Sequence, residues 1–347
     1  MESSSSSAGA RRVTVRDVAR AAGVSPAAVS HAFRGSRHVS AATRERVLET
    51  ADAMGYRPHP MVAALMGEIR RNKAVNAEAV LAMADLFTGD ARLRKTTRRL
   101  ILEGAAARAQ ALGYRLDLFE PLQEGQRLER FAKILRARGI QGIILPPIPG
   151  QPDLPAEFPW EEFCVVTAGF VCRSHAFNSV VPDHMSGMAM TLDTLSQRGY
   201  TRIGLCVSQE LDRRVRHAWS ARYYWHLAQT LGAPGPLLKQ YTGPLTREAF
   251  LQWIAEARPD AVVCDFGQGW EWISEAGLGA AVGVAHLIAA PGEQQCAGIN
   301  QNYAAEGAAA VDLLSTQLLR NERGVPGFRM NVQISPSWIE GQSLRSL

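Results

Sequence analysis

The feature that most constrains the fold is a pair of short helical patterns joined by a three-residue turn near the start of the chain. Thr14 is a candidate N-cap of the first helix, and Gly23 stands where that helix would end. Ser25 is a candidate cap of the second helix, and Pro26 occupies its first position, where the missing N–H costs nothing. Two short helices around a tight glycine-containing turn predict a helix-turn-helix.

A third helix is predicted between Ser40, which can cap it, and Gly55, which can end it. Residues 1–73 hold 12 Lys and Arg against 6 Asp and Glu, whereas residues 74–347 hold 26 against 27. A basic module on a near-neutral body suggests that the module binds a polyanion. Three short helices can also form a small bundle with no such role, but the charge and the small residues of the second helix favour DNA.

Composition excludes several other classes of protein. No apolar run reaches the roughly 18 residues of a membrane-spanning helix. The five cysteines form no C-x-x-C pair, so neither a disulfide framework nor a structural zinc site is expected. Residues 1–10 lack the apolar core of a signal peptide and are interpreted as a disordered tail. We therefore expect a cytoplasmic protein that does not associate with a membrane.

The segments VTVRDVARAAGVSPAAVSHAF and VSAATRERVLETADAMGYRP resemble the DNA-binding domain of the LacI/GalR family of bacterial transcriptional regulators. The resemblance implies that residues 11–58 form this domain and that the second helix enters the major groove. It implies base contacts from Pro26, Ala27 and His31, whose imidazole can donate to guanine. The implied phosphate contacts are Thr14, Ser25, Ser30 and Arg37. Ser25 and Ser30 have an alternative interpretation as local helix caps.

Residues 59–77 are interpreted as a hinge or linker. In the family this stretch forms a short helix on operator DNA, and the resemblance places Leu65 at the position that wedges into the minor groove. The sequence departs from the family pattern, because His59 stands where Asn is usual. The alternative is an amphipathic linker that packs on the body.

From residue 78 to 347, strand-like and helical patterns alternate, which predicts parallel sheets covered by helices on both faces. A body of this size should split into two lobes. The body also resembles the periplasmic-binding-protein-like effector domain of the same family. We expect one lobe from about 78–181 and 297–325, and the other from about 182–296 and 326–343.

Ligands in such folds bind where the carboxyl ends of the strands face the crevice between the lobes. Asp183 and Asp265 each follow a predicted strand, and Arg213 and Arg214 begin a predicted helix over 212–231. Carboxylates and a guanidinium suit a sugar or polyol through paired hydrogen bonds. The candidate effector-binding residues are Asp183, Arg213, Arg214, Trp219, Asp265 and Trp270. The two Asp residues have an alternative interpretation as helix caps, and Trp219 as a core residue.

No nucleophile elbow, phosphate loop or dinucleotide loop follows a predicted strand, and no histidines have metal-ligand spacing. We therefore expect no enzyme activity, no metal and no cofactor. The sequence predicts a ligand-responsive transcriptional regulator, and the family resemblance favours a repressor. It would bind a pseudo-palindromic operator as a homodimer, associate with the nucleoid when bound to DNA, and take a small-molecule effector. The alternative is a constitutive or architectural DNA-binding protein with a vestigial effector domain.

Overall fold

The computed structural model describes residues 13–33, 39–56, 79–86, 95–122, 128–148, 153–169, 177–230, 240–289 and 295–345. The predictions for the tail, for Arg37 and for Leu65 in the hinge lie outside the described residues. The chain divides into two compact units. The first comprises Met1–Ala77 and Thr316–Glu322, and the second comprises Glu78–Ser315 and Arg323–Leu347.

Three helices form the described part of the amino-terminal region, namely α1 (Val15–Ala21), α2 (Pro26–Phe33) and α3 (Ala41–Ala53). Thr14 caps α1 through a capping box, in which its hydroxyl accepts the N–H of Asp17 and its own N–H donates to the Asp17 carboxylate. The hydroxyl of Ser25 accepts the N–H at the start of α2 over 3.1 Å. Gly23 has a φ of +67°, as the predicted turn requires. The helix-turn-helix prediction is confirmed.

A small apolar core holds the three helices together. Its buried members come from all three helices and from the turn between the first two. They are Val18, Ala19, Ala22, Val29, Ala32, Val47 and Ala51. Phe33 and Tyr56 close one side of this core with an edge-to-face ring contact whose centroids are 5.8 Å apart. Because most of these side chains are small, the helices approach closely and leave their polar faces to solvent.

The second unit alternates strands and helices, as predicted. Its strands are β1 (Ala79–Ala84), β2 (Tyr114–Phe119), β3 (Gly142–Leu145), β4 (Cys164–Ala168), β5 (Asn178–Pro182), β6 (Ile203–Cys206), β7 (Ala261–Cys264), β8 (Gly283–His286), β9 (Ala297–Asn300), β10 (Asn331–Ile334) and β11 (Ser337–Ile339). Its α-helices are α4 (Lys95–Ala111), α5 (Leu128–Ala137), α6 (His184–Gln197), α7 (Gln209–Arg214), α8 (Ala218–Thr230), α9 (Arg247–Ala257), α10 (Gln268–Glu275) and α11 (Tyr303–Arg320).

The strands form two sheets, one for each lobe. The first sheet has the order β10-β5-β4-β3-β1-β2, and every pairing in it is parallel. The second has the order β11-β9-β8-β7-β6 and is parallel except that β11 runs antiparallel to β9. The central strands are buried along their whole length, which requires helices on both faces. The two-lobed α/β prediction is confirmed.

The expected lobe boundaries differ from these sheets at two places. We expected residues 297–325 in the first lobe, but β9 pairs with β8 in the second sheet. We expected 326–343 in the second lobe, but β10 pairs with β5 in the first sheet, where Val332 lies opposite Val180. The chain therefore crosses between the lobes after β5, after β9 and after β10. Strands of only four residues, such as β9 and β10, carry no signal of which sheet they join, because pairing is settled by tertiary contacts.

The predicted continuous helix over 212–231 is also wrong, because the structure has two helices there. Arg216 and His217, between α7 and α8, both have a φ of +59°, which no α-helix accommodates. The buried carboxylate of Asp212 holds this break, since it accepts the N–H of Ser220 over 3.2 Å and lies 3.0 Å from Nδ1 of His217. Arg214 therefore ends a helix rather than beginning one.

Within the described ranges, no helix has both the length and the apolar character needed to cross a membrane. No group of three or more potential metal ligands lies together in that part of the chain.

Candidate functional site

The first candidate surface is the amino-terminal end of α2. Ser25, Pro26 and Ala27 are exposed there, and Ser30 and His31 are half-buried one turn further on. Val29 and Ala32 point into the core of the three helices. An exposed first turn with small side chains lets the backbone of a helix approach another surface closely. The hydroxyls of Thr14 and Ser25 both accept backbone N–H groups at helix starts, so Ser25 is a local helix cap.

The second candidate site is a cavity of about 250 Å³ between the two lobes of the second unit. It lies at the carboxyl ends of the strands, since Gly169 follows β4, Asp265 follows β7 and His286 ends β8. The lining residues are Thr97, Pro147, Gly169, Pro182, His184, Leu211, Arg214, Val215, Trp219, Asp265, His286, Ile288, Tyr303 and Glu306. The strand topology thus produces the crevice that such folds use for ligands.

Three of the six effector-binding candidates line this cavity, namely Arg214, Trp219 and Asp265. All three are at least 92% buried. Trp219 combines both of its proposed roles, because it also packs in the apolar core of the second lobe. Its ring meets that of His184 edge to face, with centroids 5.4 Å apart.

The other three candidates lie elsewhere. Asp183 caps α6, where its carboxylate accepts the N–H of Ser186 over 3.0 Å and the Ser186 hydroxyl over 2.6 Å. Arg213 is exposed at the end of α7. Trp270 packs against a separate apolar cluster of the second lobe, beside Gly279. An Asp at the end of a strand can therefore line the cavity or cap a helix, and the sequence does not distinguish the two. The same holds for an aromatic residue near a strand end.

Asp265 holds the start of α7, the helix that carries Arg214. Both of its carboxylate oxygens accept the N–H of Ser208, over 3.1 and 3.2 Å, and Ser208 is the N-cap of α7. It caps no helix of its own, because Gly267 is the N-cap of α10. Burial raises the pKa of Asp265 to about 6, although the Ser208 N–H favours the ionised form. Asp265 therefore carries a partly neutralised carboxyl group on the wall of the second lobe.

Sequence reasoning missed five polar residues of the cavity, which are Thr97, His184, His286, Tyr303 and Glu306. Burial lowers the pKa of His184 to about 4 and also lowers the pKa of His286, so both rings are neutral at pH 7. Glu306 is fully buried, and burial raises its pKa to about 8 although Arg214 lowers it. One signal existed, since Glu306 lies four and eight residues before the buried Ala310 and Leu314 on one face of a helix.

The chemistry of this lining is that of a binding site. A guanidinium, two carboxyls, two neutral imidazoles and an indole surround a space suited to one small polar molecule. The fold and these two sites define a class: a two-unit protein in which a helix-turn-helix module accompanies a two-lobed α/β body with an interlobe cavity.

Comparison with known proteins gives a family match for the amino-terminal module. Residues 14–59 match the family described as bacterial regulatory proteins, lacI family. GalS of Salmonella typhimurium LT2, an HTH-type transcriptional regulator, is 26% identical over 60% of this chain and 58% of its own length. The maltose regulon regulatory protein MalI of Escherichia coli K12 is 25% identical over 56% of this chain and 53% of its own. The alignments thus span little more than half of these curated relatives.

Solved structures show the same fold over nearly the whole chain. The complex of the transcriptional regulator CelR with cellobiose has a TM-score of 0.55 at 19% identity, covering 96% of this chain and 100% of that one. The lac repressor dimer bound to operator and the anti-inducer ONPF has a TM-score of 0.52 at 19% identity, covering 96% and 99%. Residues 14–59 therefore match the lacI family, as the motifs of the amino-terminal module indicated, and the solved structures show that the rest of the chain shares the fold.

Proposed function

We propose that this protein is a ligand-responsive transcriptional repressor that binds a pseudo-palindromic operator as a homodimer and takes a small molecule in the interlobe cavity. The observation that carries the proposal is the α1–α3 module, whose sequence matches the lacI family and whose second helix exposes a small-residue first turn. A helix of this kind docks its amino-terminal residues against base edges in the major groove.

Two further observations support the ligand and the dimer. The polar lining of the cavity fits a sugar or a sugar derivative, and one structural neighbour is a complex with cellobiose. Two recognition helices must be held about one helical turn apart on DNA, which a two-fold dimer achieves. The lac repressor neighbour is described as a dimer on its operator.

Salt dependence tests the DNA-binding role. Two modules that together neutralise about six phosphates should lose roughly a thousandfold in affinity between about 50 and about 200 mM salt, because counterions are released on binding. Fluorescence anisotropy with DNA fragments selected by the protein measures this. A dissociation constant that is flat across that range would contradict an operator-binding role.

Substitution of His31 tests how the sequence is read. Because an imidazole donates to one base edge, His31→Ala should cost about 1–3 kcal/mol of discrimination at one base pair in each half-site. Ser30→Ala on the same helix is the matched control and should weaken all sequences alike, as loss of a phosphate contact does. An unchanged base preference in His31→Ala would place the recognition surface elsewhere.

A constitutive DNA-binding protein with a vestigial cavity is the competing function. It predicts specific DNA binding that no member of a sugar panel alters, whereas a regulator releases or gains DNA on binding its effector. Melting temperature measured across the same panel separates the two, because a ligand at about 100 times its dissociation constant adds about 2.7 kcal/mol of stability.

A further inference from the structure

Glu306 is the most unusual group of the interlobe cavity. It stands in the first turn of α11 and contributes to the wall formed by the first lobe. Its side chain is fully buried, yet neither carboxyl oxygen has a hydrogen-bond partner among the described residues. A buried polar group without a partner is costly, so its presence needs an explanation, and a ligand that completes the site is one.

The backbone that carries Glu306 cannot withdraw it from the cavity. The helices α11 and α4 approach closely, so that a Cβ placed on Gly104 would lie 1.9 Å from the carbonyl oxygen of Ala304. A Cβ on Gly307 would lie 2.0 Å from the carbonyl oxygen of Ile101. The first turn of α11 is therefore held against α4 on both sides of Glu306.

The ionisable groups around the cavity include more carboxyls than cationic side chains. Among the described residues that line it, Arg214 is the only Lys or Arg, whereas Asp265 and Glu306 both carry carboxyls. Burial keeps His184 and His286 neutral. On the adjacent helix α4, Arg98 pairs with Asp85 over 2.8 Å and is already matched. When both carboxyls are ionised, one positive charge from a ligand balances the lining and supplies donors to Glu306.

The wall formed by the second lobe differs from Glu306, because its unpartnered polar atoms are ring nitrogens. The indole Nε1 of Trp219 and the imidazole Nε2 of His286 are buried and have no hydrogen-bond partner among the described residues. An indole N–H needs an acceptor, and a hydroxyl oxygen provides one. The aromatic ring of Trp219 also suits a nearby cation. The ligand that satisfies both walls therefore combines an ammonium group with hydroxyls.

We propose that Glu306 binds the ammonium group of an aminated polyol, such as an amino sugar, and that this group determines which effectors the protein accepts. The inference rests on the proposed function, since it names the ligand class of the same cavity. The hydroxyls of such a ligand face Trp219, His286 and Arg214 on the second lobe.

Glu306 is also well placed to transmit binding. Its backbone N–H donates to the carbonyl of Asn302, in the crossover after β9. The side-chain amide of Asn302 donates to the carbonyl of Ser335 over 2.7 Å, in the crossover after β10. A ligand held by Glu306 thus contacts the turn that joins two of the three crossovers between the lobes.

The test is a matched ligand panel applied to the full chain. D-Glucosamine, D-galactosamine and D-mannosamine are compared with their parent hexoses and with their N-acetyl derivatives by melting temperature and calorimetry. At least one hexosamine should stabilise the wild type, and neither its parent sugar nor its N-acetyl derivative should match it.

Glu306→Gln should weaken the affinity for that hexosamine about 10- to 100-fold, because a charged hydrogen bond is lost. Glu248→Gln, an exposed acid in the first turn of α9, is the control and should change nothing.

The pH dependence gives a second readout. The free carboxyl of Glu306 holds its proton below a pKa of about 8, and the ammonium complex requires the carboxylate. Affinity should therefore rise with pH by up to about tenfold per unit below that pKa while the amine stays charged. Asp265 titrates in the same range, so the informative quantity is the slope of the wild type minus that of Glu306→Gln.

Four results would overturn the proposal: no hexosamine binds, the neutral sugars bind equally well, Glu306→Gln leaves hexosamine affinity intact, or the two pH slopes coincide. DNA selection with the same protein preparations distinguishes failure of this ligand proposal from failure of the proposed function. Specific DNA binding without hexosamine binding defeats only the ligand class. Loss of specific DNA binding in the wild type defeats the proposed function.

Discussion

At the scale of single residues, the buried carboxyl of Glu306 should make stability depend on pH. Burial raises its pKa to about 8 in the folded protein, from an ordinary value of 4.5. The folded state therefore holds a proton that the unfolded chain has released, and stability falls as pH rises from about 4.5 to about 8. The fall is up to about 1.4 kcal/mol per pH unit.

Glu306→Gln removes this titration and should flatten the curve, so that the variant gains stability relative to the wild type as pH rises from about 5 to about 7. Urea denaturation at several pH values measures both proteins. Asp265, whose pKa burial raises to about 6, contributes equally to both curves and cancels in the difference. Parallel curves would show that Glu306 does not titrate as its burial requires.

Residues that act locally were predictable from the sequence. Thr14, Ser25 and Ser40 cap helices as their types and positions indicated, because a cap depends on only three or four neighbouring residues. Glu306 was not, because its side chain reaches the cavity only through the order in which the chain crosses between the lobes. Asp183 stayed open to two interpretations, because its position after a strand suits a ligand contact and a helix cap equally well, and the structure has it as the cap.

At the scale of elements, the contact between α4 and α11 fixes one wall of the cavity. Gly104→Ala should lower the free energy of unfolding by about 2 kcal/mol or more, because its Cβ would overlap the backbone of Ala304 and the helices must separate. Gly267→Ala is the matched control, since its φ is −67° and a Cβ there meets nothing within 4 Å. The control should cost at most about 1 kcal/mol, because Gly267 is the N-cap of α10 and Ala is a poorer N-cap residue than Gly. Guanidinium denaturation compares them, and equal stability of the two variants would contradict this packing.

The order of strands and helices was predictable, but two details of the elements were not. The break between α7 and α8 is made by two residues of positive φ that are not glycine, and a buried Asp212 bonded to Ser220 holds them. Nothing in the local pattern marks that arrangement, since the stretch has ordinary helical spacing. The sheet that β9 and β10 join depends on long-range pairing in the same way.

At the scale of the whole molecule, the proposed regulation requires the cavity to bias the arrangement of the lobes. A ligand does so only by the difference in its affinity for two arrangements, which typically amounts to 1–3 kcal/mol. The three crossovers are where such a bias acts, and Asn302 connects two of them through its hydrogen bond to Ser335. The solved structures of the same fold also join a helix-turn-helix module to such a body, whereas the effector depends on side chains particular to this cavity.

The central claim, that the chain is a sequence-specific operator-binding protein acting as a two-fold dimer, is tested most directly by selecting DNA from a random pool with the purified full chain. We predict enrichment of a pseudo-palindrome whose two half-sites lie about one helical turn apart, centre to centre. Enrichment of a single unpaired half-site, or of no sequence at all, would contradict the account.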